Sequence, residues 1–146
     1  MSKYTLNGTL YAPYQVEGVQ WMSEMERQTQ GPKGGFLCDE MGLGKTIQII
    51  ATILKNPKKH TLIVVPKTIV TQWSKEIKKF APNLSVHVYD GPKRTKEVKD
   101  LLDHDIVLTP TKMIAPLPAT YDRAAPSIRL QTAANLVVGT GQHGCR

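Results

Sequence analysis

Four short runs of apolar, mostly β-branched residues recur along the chain, and amphipathic segments separate them. The runs are GFLC (35–38), TLIVV (61–65), SVHVY (85–89) and DIVLT (105–109). Most are continuously apolar rather than alternating in polarity, which is typical of strands in a parallel sheet covered on both faces. The pattern predicts an α/β fold in which helices connect successive parallel strands through right-handed crossovers.

Helical periodicity marks the segments around these runs. Helices are predicted at 13–28, 45–54, 68–80 and 92–103. Trp21 and Trp73 lie on the apolar stripes of the first and third helices, so core packing is the favoured interpretation over a stacking role. The last helix is expected to begin at Pro92 and to bury Val98, Leu101 and Leu102. In residues 112–146 the periodicity is lost, and only NLVV (135–138) could form a strand.

A chain of 146 residues with a net charge of +7 is expected to form one domain or part of one. The positive charge fits a polyanionic partner such as nucleic acid, and it equally fits a solvated basic surface. Cys38, predicted to lie in a buried strand, and Cys145 form neither a disulfide framework nor a metal-binding pattern. No apolar run is long enough for a membrane helix, so we expect an intracellular protein without a membrane partner.

The segment FLCDEMGLGKT (36–46) places a glycine-rich turn between a predicted strand and a predicted helix. Such a turn binds phosphate because consecutive backbone N–H groups converge on its oxygens at a helix N-terminus. Lys45 would neutralise phosphate charge and the Thr46 hydroxyl would bind Mg²⁺, which makes both residues catalytic candidates. The candidate nucleotide-binding residues in this turn are Asp39, Glu40, Met41, Gly42, Leu43, Gly44, Lys45 and Thr46.

Asp39 stands where the strict pattern G-x-x-x-x-G-K-S/T has its first glycine. With this substitution, CDEMGLGKTIQIIATIL (38–54) resembles motif I of the Swi/Snf-type ATP-dependent DNA translocases of helicase superfamily two. LYAPYQVEGVQWM (10–22) is similar to the Q-motif of that family, TLIVVPKTIVTQWSKEIKKF (61–80) to motif Ia, and DIVLTPT (105–111) to the motif that follows.

The resemblance covers about residues 4–111 and implies a P-loop, RecA-like parallel sheet flanked by helices. Residues 1–111 would be the N-terminal part of the helicase ATP-binding lobe, and 112–146 a divergent, irregular tail. ATP and Mg²⁺ are the implied cofactors, with Gln15 reading the adenine edge. DNA is the implied partner, with Lys67 and Thr68 touching its backbone, whereas Pro110 replaces a threonine that the family uses in the next motif.

Members of the resembled family carry an Asp-Glu-x-x-His segment that holds Mg²⁺ and orients the attacking water, and a second RecA-like lobe that closes over ATP. Here the only Asp-Glu pair is Asp39-Glu40, and the sole acid beyond Asp105 is Asp122. We therefore expect a fragment that retains the P-loop but lacks Walker B and the second lobe. Whether the chain is itself an ATP hydrolase is left open by its sequence.

Three functional hypotheses remain at this stage. The first is an ATP-binding fragment of a DNA-dependent ATPase, which a second RecA-like lobe or an intact motor would complete in trans. The second is a non-catalytic nucleotide- or DNA-binding regulator. The third, a small P-loop kinase or other NTPase, explains the loop but not Gln15, Trp73 or the Pro66-Lys67-Thr68 segment. The resemblance implies a nuclear location in a eukaryote and a cytoplasmic one otherwise.

Overall fold

The computed structural model describes residues 2–31, 34–39, 42–113 and 134–138. The chain forms two compact units. Met1–Pro57 and Gln72–Ser85 build most of the first unit, and Lys58–Thr71 and Val86–Gly141 build the second. The predicted phosphate-binding turn therefore belongs to the first unit, whereas the strands of the sheet belong to the second.

The second unit is organised around a four-stranded parallel sheet. Its strands are β1 (His60–Val65), β2 (Val86–Val88), β3 (Ile106–Pro110) and β4 (Ala134–Val138), in the spatial order β2-β3-β1-β4. Ile63 of β1 lies in register with Leu108 of β3 on one side and with Val137 of β4 on the other. The parallel sheet confirms the α/β prediction, and β4 confirms that the run at 135–138 forms a strand.

The two inner strands β1 and β3 supply much of the core. Ile63, Val64 and Val65 are completely buried, as are Ile106 and Leu108 to within 1% of their surface. A strand buried on both faces needs apolar residues at consecutive positions, which is why these runs are continuous in the sequence. The sheet thus brings the carboxyl ends of β1, β2 and β3 to one edge, where the loops that follow them can meet.

Helices dominate the first unit. α1 (Pro13–Arg27) begins with a proline, which is tolerated there because the first N–H of a helix has no intrahelical partner. α1 packs against α2 (Lys45–Lys55), and both match their predicted bounds closely. α3 (Val70–Phe80) follows a 3₁₀ turn at Lys67–Ile69, so the helix predicted at 68–80 is tightened over its first residues.

The strand predicted at 35–38 is wrong for the described part of the chain, because residues 34–39 form no regular secondary structure and pair with no strand there. Phe36 is 90% exposed, and Cys38 is exposed rather than buried in a strand. Gly34 has φ 109, a value open mainly to glycine, and Gly35 lies directly against the Trp21 ring. A run of three apolar residues after two glycines is too short and too flexible to specify a strand.

The helix predicted at 92–103 is also largely wrong, because α4 covers only Val98–Leu102. The Thr95 hydroxyl accepts a hydrogen bond from the Glu97 N–H and donates one to the Asp100 carboxylate. Such side-chain bonds compete with helical hydrogen bonds and favour a turn. Val98 and Leu102 are more than half exposed, so the predicted apolar face is not buried.

The two tryptophans, both predicted to pack in the core, differ in their surroundings. Trp73 of α3 is buried, which confirms its prediction. Trp21 of α1 keeps more than a third of its surface exposed while its ring covers Gly35, so it packs at the surface. The Trp21 ring thus covers a glycine that precedes the predicted phosphate-binding turn.

Replacing Val64 by Ala in β1 is expected to destabilise the fold by about 2 kcal/mol, since each buried CH₂ contributes roughly 0.8 kcal/mol and a cavity adds to the loss. The same replacement at Val88, which is 41% exposed on β2, is the matched control and should have less than half that effect. Urea unfolding midpoints at unchanged slope measure both. Equal losses would contradict a core centred on β1.

Candidate functional site

The turn before α2 has the backbone shape of an anion-binding loop. Gly42 and Gly44 have φ 85 and φ 79, left-handed values that glycine adopts without strain. Gly44 is the N-cap of α2, no side chain among the described residues caps the helix, and no acid lies in its first turn. The first N–H groups of α2 and the positive end of its dipole are therefore available to an anion.

Gly44 is required for a second reason. A Cβ at this position would lie 2.5 Å from Nε2 of Gln15 and 3.3 Å from Cγ2 of Ile47. At Gly42 a Cβ would meet nothing within 4 Å, so the demand there is only on the backbone angle. Neighbouring side chains thus leave no room for a Cβ at Gly44, whereas there is room for one at Gly42.

Lys45, the first residue of α2, is half-buried and is held by the loop that precedes it. Its Nζ donates a hydrogen bond to the backbone carbonyl of Asp39 at 2.7 Å. An ammonium group has three protons, so this bond leaves donors for a phosphate. Thr46 follows Lys45 in the first turn of α2 and is also half-buried.

The side chain of Asp39, which replaces the usual first glycine of the loop, is tied to α2. Its Oδ2 accepts a hydrogen bond of 3.1 Å from Nε2 of Gln48, a residue with no exposed surface. Asp39 therefore binds α2 through Gln48 with its carboxylate and binds Lys45 with its carbonyl. Both contacts draw the loop onto the start of the helix.

The amide of Gln48 also explains a glycine inside α1. Oε1 of Gln48 is buried without a hydrogen-bond partner among the described residues, and it lies against Gly18. A Cβ at Gly18 would overlap this oxygen. Gly18 thus makes room for Gln48, and Gln48 in turn holds Asp39.

Gln15 links α1 to the same turn. The side chain is 8% exposed, its Oε1 accepts a hydrogen bond from the Tyr11 N–H at 2.9 Å, and its Nε2 donates one to the Leu43 carbonyl at 3.2 Å. The structure therefore brings together five of the residues predicted for a nucleotide site, namely Gln15, Asp39, Leu43, Gly44 and Lys45. Glu40 and Met41, predicted for the same site, lie outside the described residues.

Sequence reasoning missed Gly18 and Gln48 as parts of this site. Both left a signal: an isolated glycine inside a helical pattern often marks close packing, and Gln48 is a lone amide within the apolar run of α2. The signal did not identify the partner, because the contact joins positions thirty residues apart in two helices.

Lys67 and Thr68, the predicted nucleic-acid contacts, lie in the second unit. They follow β1 in the 3₁₀ turn at Lys67–Ile69, and both are exposed. Nζ of Lys67 lies 3.8 Å from Oδ2 of Asp90, which follows β2. Their exposed position at the carboxyl end of β1 suits contact with phosphate groups of a nucleic acid.

The described ranges contain no cluster of three or more His, Cys, Asp or Glu side chains that could hold a metal ion. They therefore give no support for a metal site built from protein groups alone. A nucleotide-bound Mg²⁺ needs fewer protein ligands, since phosphate and water supply most of its coordination. The Thr46 hydroxyl, in the first turn of α2, is the one protein ligand predicted for such an ion. Across the part of the chain that the structure covers, no helix is both long and apolar enough to cross a membrane.

Comparison with known proteins identifies a family that this chain matches over most of its length. Residues 14–137 match the model of the SNF2-related domain. The chain is 43% identical to the ATP-dependent helicase rhp16 of Schizosaccharomyces pombe over 99 residues. This match covers 66% of the chain and 11% of rhp16. Over 72% of the chain it is 39% identical to the putative ATP-dependent helicase/translocase YwqA of Bacillus subtilis, of which it spans 12%.

Solved structures give the same result. The SWI2/SNF2 ATPase core of Sulfolobus solfataricus in complex with dsDNA is 34% identical, with a TM-score of 0.65, over 78% of this chain and 24% of that one. A second structure, the SWI2/SNF2 ATPase core domain of the same organism, is also 34% identical, with a TM-score of 0.58 over 75% of this chain and 22% of that one. The chain thus spans about a tenth of the length of the curated relatives it matches.

Replacing Gly18 by Ala is expected to destabilise the chain, although alanine is favoured over glycine within a helix by roughly 1 kcal/mol. The new Cβ displaces the buried Gln48 amide and breaks its bond to Asp39, which costs about 1–3 kcal/mol. Thermal unfolding of the single variants and of Gly18→Ala/Gln48→Ala completes a double-mutant cycle. Additive effects, or a stabilised Gly18→Ala variant, would contradict the packing described.

Proposed function

Because the chain belongs to the SNF2-related domain family, we propose that it is the ATP-binding fragment of a Swi/Snf-type, DNA-dependent ATPase. In this proposal the chain binds Mg-ATP and contacts the DNA backbone, but does not complete hydrolysis alone. The observation that carries it is the uncapped N-terminus of α2, preceded by two left-handed glycines and followed at once by Lys45. This arrangement supplies backbone N–H groups and one cation at the same point.

Each residue of the loop has a role in this proposal. Gly42 to Gly44 would expose their N–H groups to the β- and γ-phosphates, and Lys45 would neutralise their charge. Mg²⁺, when bound, would share the charge of these oxygens, with Thr46 as its protein ligand. Asp39, Glu40 and Met41 would complete the loop, Asp39 through its two contacts to α2.

Hydrolysis needs a further acid. In P-loop NTPases an acid on a later strand holds Mg²⁺ beside the Ser/Thr of the loop, and another group orients the attacking water. This chain carries no Asp-Glu pair other than Asp39-Glu40, and Asp122 is its only acid after Asp105. We therefore propose that Walker B and the second RecA-like lobe must come from elsewhere, for example from an intact motor in trans.

Contact with DNA is supported from the second unit. Lys67 and Thr68 are exposed at the carboxyl end of β1, and the chain has a net charge of +7. The related archaeal core was solved in complex with dsDNA. Backbone contacts of this kind give affinity without base specificity, as a translocating motor requires. Such a protein would be nuclear in a eukaryote and cytoplasmic otherwise.

The shortage of acids also favours a second candidate function. A chain that binds nucleotide or DNA without turnover would compete with an intact motor and so regulate it. The two candidates differ in what restores activity. The fragment hypothesis requires that added second-lobe protein stimulates ATP turnover, whereas the regulatory hypothesis requires that the chain inhibits an intact motor.

Replacing Lys45 by Ala is expected to weaken Mg-ATP binding roughly 10- to 100-fold, the equivalent of about 1.5–3 kcal/mol for a hydrogen bond to a charged group. Lys55→Ala, at the opposite end of α2, removes the same side chain and should leave affinity unchanged. Calorimetric titration with ATP and Mg²⁺ measures both. Equal affinities of the two variants for Mg-ATP would mean that the loop does not bind the nucleotide.

Replacing Gln15 by Ala tests the adenine-reading role proposed for this amide, which already bonds Tyr11 and Leu43. We expect affinity for ATP to fall more than affinity for GTP, because base recognition is lost together with the contact to the turn. Competition titrations with the two nucleotides give the ratio. An equal loss for both would mean that Gln15 only supports the turn.

A further inference from the structure

Three charged residues meet at one edge of the sheet in the second unit. Lys67 follows β1, Asp90 follows β2 and Lys112 follows β3, and these strands are neighbours in the order β2-β3-β1. Because carboxyl ends of parallel strands lie at one edge, residues far apart in the chain come together. Lys112 and Asp90 belong to none of the predicted sites.

The carboxylate of Asp90 lies between the two lysines. Its Oδ2 is 3.8 Å from Nζ of Lys67, and its Oδ1 is 3.6 Å from Nζ of Lys112. Oδ1 also accepts a hydrogen bond of 2.8 Å from the Gly91 N–H, which restrains the carboxylate. One side chain, only 20% exposed, thus faces two cations from two different strand ends.

Within the part of the chain that the structure describes, the two lysines retain the capacity to bind a further anion. Their side chains are 63% and 50% exposed, and both distances to Asp90 exceed the 2.7–2.9 Å or so of a charge-assisted hydrogen bond. Exposed ion pairs of this kind contribute little to stability. The arrangement therefore orients two ammonium groups without using up their protons.

The loop that carries Asp90 is itself fixed. The Thr109 hydroxyl donates a hydrogen bond of 2.9 Å to the Tyr89 carbonyl, which joins the end of β3 to the end of β2. Arg94 lies 5.7 Å from the centre of the Tyr89 ring and donates to the Gly91 carbonyl at 2.9 Å. Among the described residues of this cluster, two lysines and Arg94 on the same loop as Asp90 outnumber that one acid.

We propose that Lys112 is a second phosphate-contacting residue of the nucleic-acid interface, acting with Lys67, and that Asp90 is the positioning residue that orients both. The ligand is the phosphate backbone of duplex DNA, read by charge and without base contacts. The inference rests on the DNA binding proposed above. It also supplies a contact at the end of β3, where Pro110 replaces the threonine expected from the family.

Salt dependence of DNA binding tests Lys112 directly. Each lost phosphate contact should reduce the slope of log K against log salt concentration by about 0.9. We expect this reduction for Lys112→Gln and for Lys67→Gln, and a normal slope for the charge-preserving Lys112→Arg. Lys59→Gln is the matched control, because Lys59 precedes β1, about 20 Å away at the opposite edge of the sheet.

The experiment uses the whole chain and a fluorescent duplex of mixed sequence, with unfolding midpoints to show that every variant is folded. If Lys112→Gln behaves like Lys59→Gln while Lys67→Gln loses slope, the inference is overturned and the proposed DNA binding stands. If the unaltered chain binds no duplex, both are overturned.

Asp90→Asn tests the positioning role through the sign of its effect. The asparagine keeps an oxygen for the Gly91 N–H but removes the charge that orients the lysines. We expect duplex affinity to fall severalfold, although the variant gains one positive charge. A rise in affinity would mean that Asp90 only repels phosphate, and it would overturn the positioning role.

Discussion

The hydrogen bond between the Gln48 amide and the Asp39 carboxylate ties the segment before α2 to that helix, and the proposed nucleotide site depends on it. A fully buried amide is costly unless its polar atoms are bonded, so Gln48 requires this partner. Asp39 is then placed so that its backbone carbonyl accepts a hydrogen bond from the Lys45 ammonium. The space for the amide exists only because residue 18 of α1 is a glycine. The loop is therefore shaped by interior contacts before any phosphate arrives.

In each unit an aspartate oxygen lies near a lysine ammonium group, but the distances between them differ. The Lys45 ammonium, half-buried, is bonded at 2.7 Å to a backbone oxygen of Asp39. Lys67 and Lys112 are exposed and lie 3.8 and 3.6 Å from Asp90. The first arrangement suits a ligand held in one geometry, as a triphosphate is in a P-loop. The second suits the looser contact with a polyanion that we propose for DNA.

Much of the fold could be predicted from the sequence, because β1 and β3 are continuous apolar runs and the apolar residues of α2 and α3 recur at helical spacing. The strand predicted at 35–38 was wrong because the apolar residues of this segment satisfy a strand pattern, whereas the adjoining glycines do not favour strand pairing. The helix predicted from Pro92 misled because the Thr95 hydroxyl forms local bonds that periodicity does not report. At the site, the loop residues were recognisable from their spacing, whereas Gly18, Gln48 and Asp90 act through contacts between distant segments.

We propose that the chain binds Mg-ATP in its loop and does not hydrolyse it alone. The decisive measurement is steady-state phosphate release by the purified chain, with and without duplex DNA, against Lys45→Ala as the background. We expect the unaltered chain to bind ATP and to release phosphate no faster than that background under either condition. Release that is stimulated by DNA and lost in Lys45→Ala would contradict it, and would mean that acids already present in this chain complete the site.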